Sequence, residues 1–149
     1  MHEDHEDFTR LAIGFSRIER RHKRFMNRVL AERGVTGISY SCIIAIEKNP
    51  GISQDRLAEL QGVDKSRAAR MVRRLELEGY VSREPHPDDR RRNMLSLTPK
   101  GKELFALIAA ISRQWAALVS GDIDGADIAT MLATIDNIIR NIDSHDGRQ

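Results

Sequence analysis

The sequence has little of what several classes of protein require. Its 149 residues include one cysteine, Cys42, which excludes an internal disulfide and fits a reducing cytoplasm. Aromatic residues make up 5% of the chain, which favours helix-on-helix packing. No run of about 18 uncharged apolar residues is present, so no membrane-spanning helix is expected. The acidic start, MHEDHEDF, lacks a hydrophobic signal core, so we expect a cytoplasmic protein.

Signatures of catalysis are also missing. The sequence contains no Ser/His/Asp grouping, no nucleotide-binding glycine loop and no convincing metal-ligand spacing. His2 and His5 resemble an H-x-x-H pair, but they lie in an acidic terminus that we expect to fray. We therefore expect no enzyme activity, no cofactor and no metal.

Positive charge, by contrast, is concentrated in one region. The net charge is +2, yet residues 64–102 carry 11 Lys/Arg against 6 Asp/Glu, a local net of +5. The rest of the chain carries 13 basic and 16 acidic residues and is therefore negative, at −3. Such a distribution is typical of phosphate binding. The alternative, a merely solvated basic face, is weakened because the cluster falls on two elements of definite geometry.

Both ends of the chain carry apolar residues at the 3,4 spacing of long amphipathic helices. Gly34 ends the N-terminal helix of this kind. Thr98 caps the first of the two C-terminal helices, which has Pro99 at its first position. The periodic positions are Phe8, Leu11, Phe15, Ile18, His22, Phe25 and Val29; then Leu104, Ile108, Ile111, Trp115 and Leu118; and last Ile128, Met131, Ile135, Ile138 and Ile142. Such stripes must be buried, so we expect these helices to pack together and to pair with a second copy. The alternative is a monomer in which they cover the central module.

The middle of the chain predicts a helix-turn-helix. Residues 38–48 predict a short buried helix, and Ser53 is an expected N-cap for a helix that ends near Leu60. Gly62 then breaks the chain, and Asp64 caps a third helix that runs to Glu78. Two helices joined by a short turn with glycine form this motif. The residues expected to face inward in the second helix are Leu57, Ala58 and Leu60.

A helical wheel of residues 65–78 separates two faces. Ala68, Met71, Val72 and Leu75 form the docking face. Ser66, Arg67, Arg70, Arg73 and Arg74 form the other face, where arginine can span guanine O6 and N7 or a phosphate. The helix is therefore predicted to be a recognition helix. Arg74 has Glu78 four residues later, so it is the arginine that we expect to be structural.

A short hairpin follows, with strands over residues 80–84 and 93–97 and a proline-containing loop, PHPDDRRR, between them. Its tip carries Arg90, Arg91 and Arg92, which can enter a minor groove. Asp89 is two residues before Arg91 and can orient it across the turn. The alternative is that the three arginines contact phosphates only, which gives affinity without sequence preference.

Residues 52–101 resemble the winged helix-turn-helix core of the MarR family of bacterial regulators. The resemblance lies in Ile52-Ser53, Leu57-Ala58, Gly62 to Ser66, Leu75-Glu76, Gly79 to Val81, Asp89 to Arg91 and Leu97 to Gly101. The flanking helical stripes also fit, so the similarity extends over nearly the whole chain. Arg67 departs from the pattern, because the family commonly has a small Ser or Thr there. An extra cation at that position is expected to raise non-specific affinity or to change the base read beside it.

The resemblance implies a mainly α (α+β) fold in a single domain, residues 1–149. Residues 1–34 and 99–149 would form the helical dimerisation region, and residues 36–98 a winged helix-turn-helix lobe with a two-stranded wing. The implied function is that of a homodimeric repressor, which binds a pseudo-palindromic site in double-stranded DNA. A small aromatic or phenolic acid would bind between the two regions and release the DNA. An architectural DNA-binding protein without an effector is the alternative.

Four residues are candidates for the switch. His22, Tyr40 and Trp115 could line an effector pocket, although aromatic residues at helical spacing are also common in simple cores. His22 lies at an otherwise apolar position, where it is either a hydrogen-bonded core histidine or a ligand contact. Cys42 could make the protein a redox sensor, but its apolar surroundings favour a buried and inert thiol.

Overall fold

The computed structural model of the chain describes residues 2–37, 39–86 and 89–146, and the side chains of residues 6–37, 39–85 and 93–145. The chain divides into two compact units, residues 1–115 and 116–149. The helices are α1 (His2–Ala31), α2 (Tyr40–Lys48), α3 (Gln54–Gln61), α4 (Lys65–Leu77), α5 (Pro99–Ser120) and α6 (Gly125–Asp146). The strands are β1 (Ile52–Ser53), β2 (Val81–His86) and β3 (Asp89–Leu97). The fold is therefore mainly helical with a small sheet, as the sequence predicts.

The first unit is organised around one apolar core. Helices α2, α3, α4 and α5, the second half of α1 and the sheet all contribute side chains to it. Its fully buried members include Met26, Leu30, Ile43, Ile46, Leu57, Val72, Leu75, Leu95, Ile108 and Ile111. Because α4 supplies Val72 and Leu75 to this core, its opposite face is presented to solvent.

The sheet is antiparallel, with the strand order β1-β3-β2. Leu95 of β3 is paired with Ile52 on one side and with Arg83 on the other. The sequence predicted two strands, and the two-residue strand β1 was missed because it is too short to show a period of two. The sheet is nevertheless the base from which the β2–β3 hairpin extends.

The predicted loop over PHPDDRRR is wrong in part. β2 continues to His86, and β3 begins at Asp89, so that the arginine run lies on a strand and not in a loop. Pro85 pairs with Asn93, and the register shifts between Pro85 and His86. A proline is tolerated there because β2 is an edge strand. The predicted inward position of Leu60 is also wrong, since that side chain is 47% exposed.

The first half of α1 carries an uncovered apolar stripe. Phe8, Leu11, Phe15 and Ile18 are all exposed, whereas Val29 near the end of the helix is buried. The seam predicted from the sequence thus enters the core only over its last two turns. The helix is also longer than the predicted 25 or so residues, at 30.

The second unit holds the end of α5 and helix α6. Asp124 caps α6, since its Oδ1 accepts the backbone N–H of Ala126 at 3.1 Å. The exposed apolar residues of this unit are Leu118, Val119, Ile123, Ile128, Met131, Leu132, Ile139 and Ile142. The stripe predicted for the last helix therefore has its apolar side chains largely open to solvent in the single chain.

One described helix, α5, is long and apolar enough by composition to cross a membrane, with a mean hydropathy of 1.2 in its best window. A core helix of a globular protein passes the same test. Leu104, Ile108 and Ile111 of α5 are buried in the core of the first unit, as predicted, but the predicted inward position of Leu118 is wrong, since that side chain is 65% exposed. These side chains make the first half of α5 part of the core of the first unit.

Candidate nucleic-acid interface

Helix α4 has an exposed arginine face and, on its opposite side, a buried apolar face that packs in the core. Ala68, Val72 and Leu75 are buried, and Met71 is half-buried beside them. The opposite positions, Ser66, Arg67, Arg70, Arg73 and Arg74, are all exposed. The helical wheel drawn from the sequence therefore places both faces correctly. Within the described part of the chain, the side chains of Arg67, Arg70 and Arg73 form no hydrogen bond or ion pair, so their donors are open to an external acceptor.

The start of α4 is held by its cap. Asp64 Oδ1 accepts the backbone N–H of Arg67 at 2.8 Å, and this hydrogen bond is the main reason that the pKa of Asp64 lies below its usual value. The cationic Arg70 lowers the pKa further. Ser53 caps α3 in the same way, and Gly62 ends α3 in a left-handed conformation with φ of 59°. These caps fix the turn between the two helices of the motif.

Arg74 contacts the α1–α2 loop. Its Nη2 donates to the carbonyl oxygen of Thr36 at 3.4 Å, and a Cβ atom on Gly37 would lie 2.9 Å from that nitrogen. No ion pair joins it to Glu78 in the described part of the chain. Arg74 thus has the structural contact expected from the sequence, but with a different partner, since a nearby carbonyl competes with the i+4 carboxylate.

A second arginine, Arg83 of β2, was missed by the sequence reasoning. Its Nε and Nη2 donate to the two carboxylate oxygens of Glu76 at 3.0 and 3.1 Å, and Nη2 also donates to Gln54 Oε1 at 3.2 Å. Both charged side chains are largely covered, with 28% and 20% of their surfaces exposed. The contact joins α3, α4 and the wing. Arg83 and its two partners lie on three different elements, so no short-range spacing in the sequence could reveal this contact.

The end of α4 is clamped to the start of α5. Lys100 Nζ donates to the carbonyl oxygen of Glu78 at 2.6 Å and lies 4.6 Å from the ring centre of Tyr80. Thr98 Oγ1 donates to the carbonyl oxygen of Gly79 at 2.6 Å and accepts the backbone N–H of Gly101 at 3.1 Å. The Leu97 to Gly101 motif therefore caps one helix and begins another.

Near the end of the wing, residues 86 and 89–92 are described as backbone only. Asp89, Arg90, Arg91 and Arg92 lie at the start of β3, and Asp89 pairs with His86 across the hairpin. Their side chains, like those of His2 and His5, lie outside the described residues. The orientation of Arg91 by Asp89 therefore stays a prediction.

The three aromatic residues predicted for an effector pocket are neighbours. The His22 ring lies 6.1 Å from that of Tyr40 and 5.3 Å from that of Trp115, centre to centre, and Phe25 also contacts Trp115 at 5.3 Å. Tyr40 also lines a groove on the surface of the first unit. Burial raises the pKa of the Tyr40 phenol, and the nearby Glu19 carboxylate raises it further.

This groove has a volume of about 770 Å³ and lies between α1, α2 and α4. It is lined by apolar, polar and charged side chains, among them Glu19, Lys23, Tyr40, Leu60, Arg67 and Met71. A second groove of about 430 Å³ lies on the arginine face and shares Arg67 and Met71 with the first. An occupant of the larger groove would therefore touch the helix that carries the arginines.

Cys42 lies in the core, with none of its surface exposed. Burial raises the pKa of its thiol, and a hydrogen bond with Ser39 opposes this only in part. A thiol that is both inaccessible and hard to ionise reacts slowly with oxidants. These features favour the inert interpretation of Cys42.

The comparisons with known proteins agree with this geometry. The model described as the MarR family matches residues 33–92. A crystal structure of MarR is 32% identical to this chain, covers 93% of this chain and 95% of its own, and superposes with a TM-score of 0.80. The chain belongs to the MarR family of transcriptional regulators. Members of the MarR family bind DNA and are not enzymes, which confirms two expectations from the sequence.

Two further similar proteins place the chain in context. A proposed transcriptional regulatory protein for the hcr operon of Thauera aromatica is 38% identical over 93 residues, which are 62% of this chain. The match spans little more than half of that protein, 56% of its length. A MarR family regulator from Listeria monocytogenes, solved in complex with a 26mer DNA, shares the fold at 22% identity, a TM-score of 0.79 and coverage of 88% and 87% of the two chains.

Proposed function

We propose that this MarR family protein is a sequence-specific repressor that binds a pseudo-palindromic operator as a homodimer. The observation that carries the proposal is the exposed arginine face of α4, which is anchored on a buried apolar face and capped at both ends. Three of its guanidinium groups form no hydrogen bond or ion pair within the described residues. A helix of this kind fits the major groove, where arginine reads guanine through two hydrogen bonds.

The wing supplies the second contact in this proposal. β3 includes the arginine run, and Arg90, Arg91 and Arg92 lie between its paired residues Asp89 and Asn93, at the far end of the hairpin. Arg91, oriented by Asp89, would enter the adjacent minor groove, and Arg90 and Arg92 would contact the flanking phosphates. Reading two neighbouring grooves explains why positive charge is concentrated in residues 64–102.

The uncovered apolar stripes support a dimer. In the single chain, Phe8, Leu11, Phe15 and Ile18 of α1 are exposed, and so is much of the apolar surface of α6. Monomeric proteins seldom leave such large contiguous apolar patches open to water. A two-fold dimer built on these helices would present two copies of α4 about 34 Å apart, the spacing of successive major grooves. Repression would then be steric, in the cytoplasm.

The effector would bind in the larger groove. Tyr40 offers an aromatic face and a hydroxyl, and Lys23 and Arg67 offer positive charge for a carboxylate. A small aromatic or phenolic acid fits this combination. Because Arg67 and Met71 belong to α4, a bound acid would contact the recognition helix itself and weaken its hold on DNA. His22 would support the Tyr40 ring, and Trp115 would in turn support His22.

Selection of bound sequences from random duplex DNA tests the proposal. We expect an enriched pseudo-palindrome with half-sites about 10 base pairs apart, bound at least about 10³-fold more tightly than random duplex at physiological salt. Aromatic acids are then screened for release of the protein from that site, with Lys23→Ala and Tyr40→Phe as variants of the groove. Equal affinity for the enriched and the random duplex would establish the architectural alternative instead.

A further inference from the structure

Arg83 connects the three elements that must act together on DNA. Its guanidinium spans both oxygens of Glu76 on α4 and reaches Gln54 at the start of α3. Two parallel hydrogen bonds to one carboxylate fix the plane of the guanidinium as well as its distance. Most pairs on a protein surface are mobile and contribute little, but this one is largely covered.

Because Arg83 lies at the base of the hairpin, a small change in its contact moves the far end of the hairpin by a larger distance. Arg83 pairs with the buried Leu95 at the base of the hairpin, and β2 extends three residues further, to His86. At about 3.3 Å per residue, His86 at the end of β2 lies roughly 10 Å beyond this base. A two-stranded ribbon twists easily, so a tilt of about 10° at Arg83 would move the tip by about 2 Å. Such a displacement is enough to separate an arginine from the floor of a groove.

We propose that Arg83 is a positioning residue that sets the direction of the wing relative to the recognition helix. The proposal rests on the function proposed above. Glu76 is carried by α4 and Arg83 by the wing, so their contact fixes the angle between the two DNA probes before DNA is bound. The minor-groove contact of the wing then costs no ordering of the hairpin at the moment of binding. A lysine at position 83 could not replace this contact, because one ammonium cannot hold both Glu76 oxygens and Gln54 in a fixed plane.

The wing angle can be measured without DNA. Spin labels are attached at Leu77→Cys on α4 and Arg90→Cys on the wing, in a Cys42→Ala background and diluted with unlabelled chain. We expect a narrow distribution of distances with Arg83 in place, and a broad or shifted one in Arg83→Lys. Asp55→Asn is the matched control, because it breaks the exposed Lys65–Asp55 contact of 3.1 Å between α3 and α4 without touching the wing. The same distribution in Arg83→Lys as in the control would overturn the proposal.

The consequence for DNA is tested on the enriched operator. Arg83→Lys should lose the protection of the minor groove against hydroxyl radicals and keep the protection of guanine N7 in the major groove. Its affinity should fall at least about fivefold, and Arg91→Ala should add little to that loss, since the wing is already displaced. In Asp55→Asn, the effect of Arg91→Ala should be undiminished. Active fractions are determined by titration with excess operator, which removes the effect of any unfolded protein.

Two results separate this proposal from the proposed function. If Arg83→Lys loses both protections in equal measure, or if its effect adds fully to that of Arg91→Ala, Arg83 is not a positioning residue, although the protein still reads an operator. If wild-type protein selects no sequence but the label distances broaden as expected, the wing is positioned by Arg83 and the specific-regulator function is wrong.

Discussion

The backbone at Gly101 packs directly against the carbonyl oxygen of Tyr80: a Cβ atom on residue 101 would lie 2.0 Å from that oxygen and 3.2 Å from the Cβ of Leu97. No side chain can occupy that space. The close approach brings the first turn of α5 against the end of α4, where Thr98 and Lys100 bind the last carbonyl groups. Glycine is therefore needed at position 101 to seat the end of α4 against α5.

Gly101→Ala should destabilise the protein, since the backbone of either α5 or Tyr80 must move to admit a methyl group. We expect the free energy of unfolding to fall by about 1–3 kcal/mol, as for other overpacked sites. Urea denaturation followed by circular dichroism measures it. Gly125→Ala at the start of α6 is the matched control, because nothing lies within 4 Å of its added Cβ. Equal stability of the two variants would contradict the close packing.

Arg70 and Arg74 should behave differently although both are exposed on α4. Arg70 has no hydrogen-bonded partner in the described residues, whereas Arg74 is bound to the loop carbonyl of Thr36. Arg70→Ala should relax the base preference at one position of each half-site, with a loss of about 1–3 kcal/mol in operator binding. Arg74→Ala should leave the selected sequence unchanged and mainly alter stability. Selection of bound sequences from random duplex DNA with each variant measures the base preference. The same change of preference in both variants would refute the different roles assigned to Arg70 and Arg74.

Cys42 should have no role in sensing oxidants. Its thiol is fully buried, and its pKa is raised by that burial. Hydrogen peroxide should therefore leave operator binding unchanged in wild-type protein and in Cys42→Ala alike. Gel-shift titrations before and after treatment measure this. Release of wild-type protein from DNA, together with retention of Cys42→Ala, would show that the protein is a redox sensor after all.

The Asp64 cap predicts a specific dependence of stability on pH. The folded-state pKa of Asp64 lies below its ordinary value of 3.8, so the ionised carboxylate stabilises the folded protein. This contribution is complete above the ordinary value and disappears as the pH falls through the lower folded-state pKa. Asn at this position keeps the cap and removes the charge. The midpoint of urea unfolding should therefore be higher for wild type than for Asp64→Asn at pH 6, and the difference should shrink towards pH 2.

Much of α4 and of the turn before it could be predicted from the sequence, because the features that determine them are local. The caps at Ser53 and Asp64 and the periodicity of Ala68, Val72 and Leu75 act within a few residues, so the period and the spacing reveal them. The same reasoning failed at Leu60. Helix α3 has only eight residues, and so short a helix gives too few apolar positions to define its inner face.

The contacts that join elements could not be predicted in this way. Arg83 meets Glu76 and Gln54 only after the hairpin folds back against α3 and α4, and Arg74 meets Thr36 across 38 residues of chain. The length of the wing strands was underestimated for a related reason. Proline usually interrupts a strand, and Pro85 is tolerated here only because β2 lies at the edge of the sheet. Tertiary placement decides each of these features.

Pro85 also limits the pairing of the wing with strands of other molecules. A hairpin that projects from a protein exposes the outer edge of a strand, and such edges recruit the strands of other molecules into aggregates. Proline supplies no N–H for an added strand, and the shifted register beside it bends the edge away from a regular ladder. The basic side chains that follow repel a second wing. Pro85 and the irregular register beside it therefore protect the outer edge of the hairpin against the addition of a further strand.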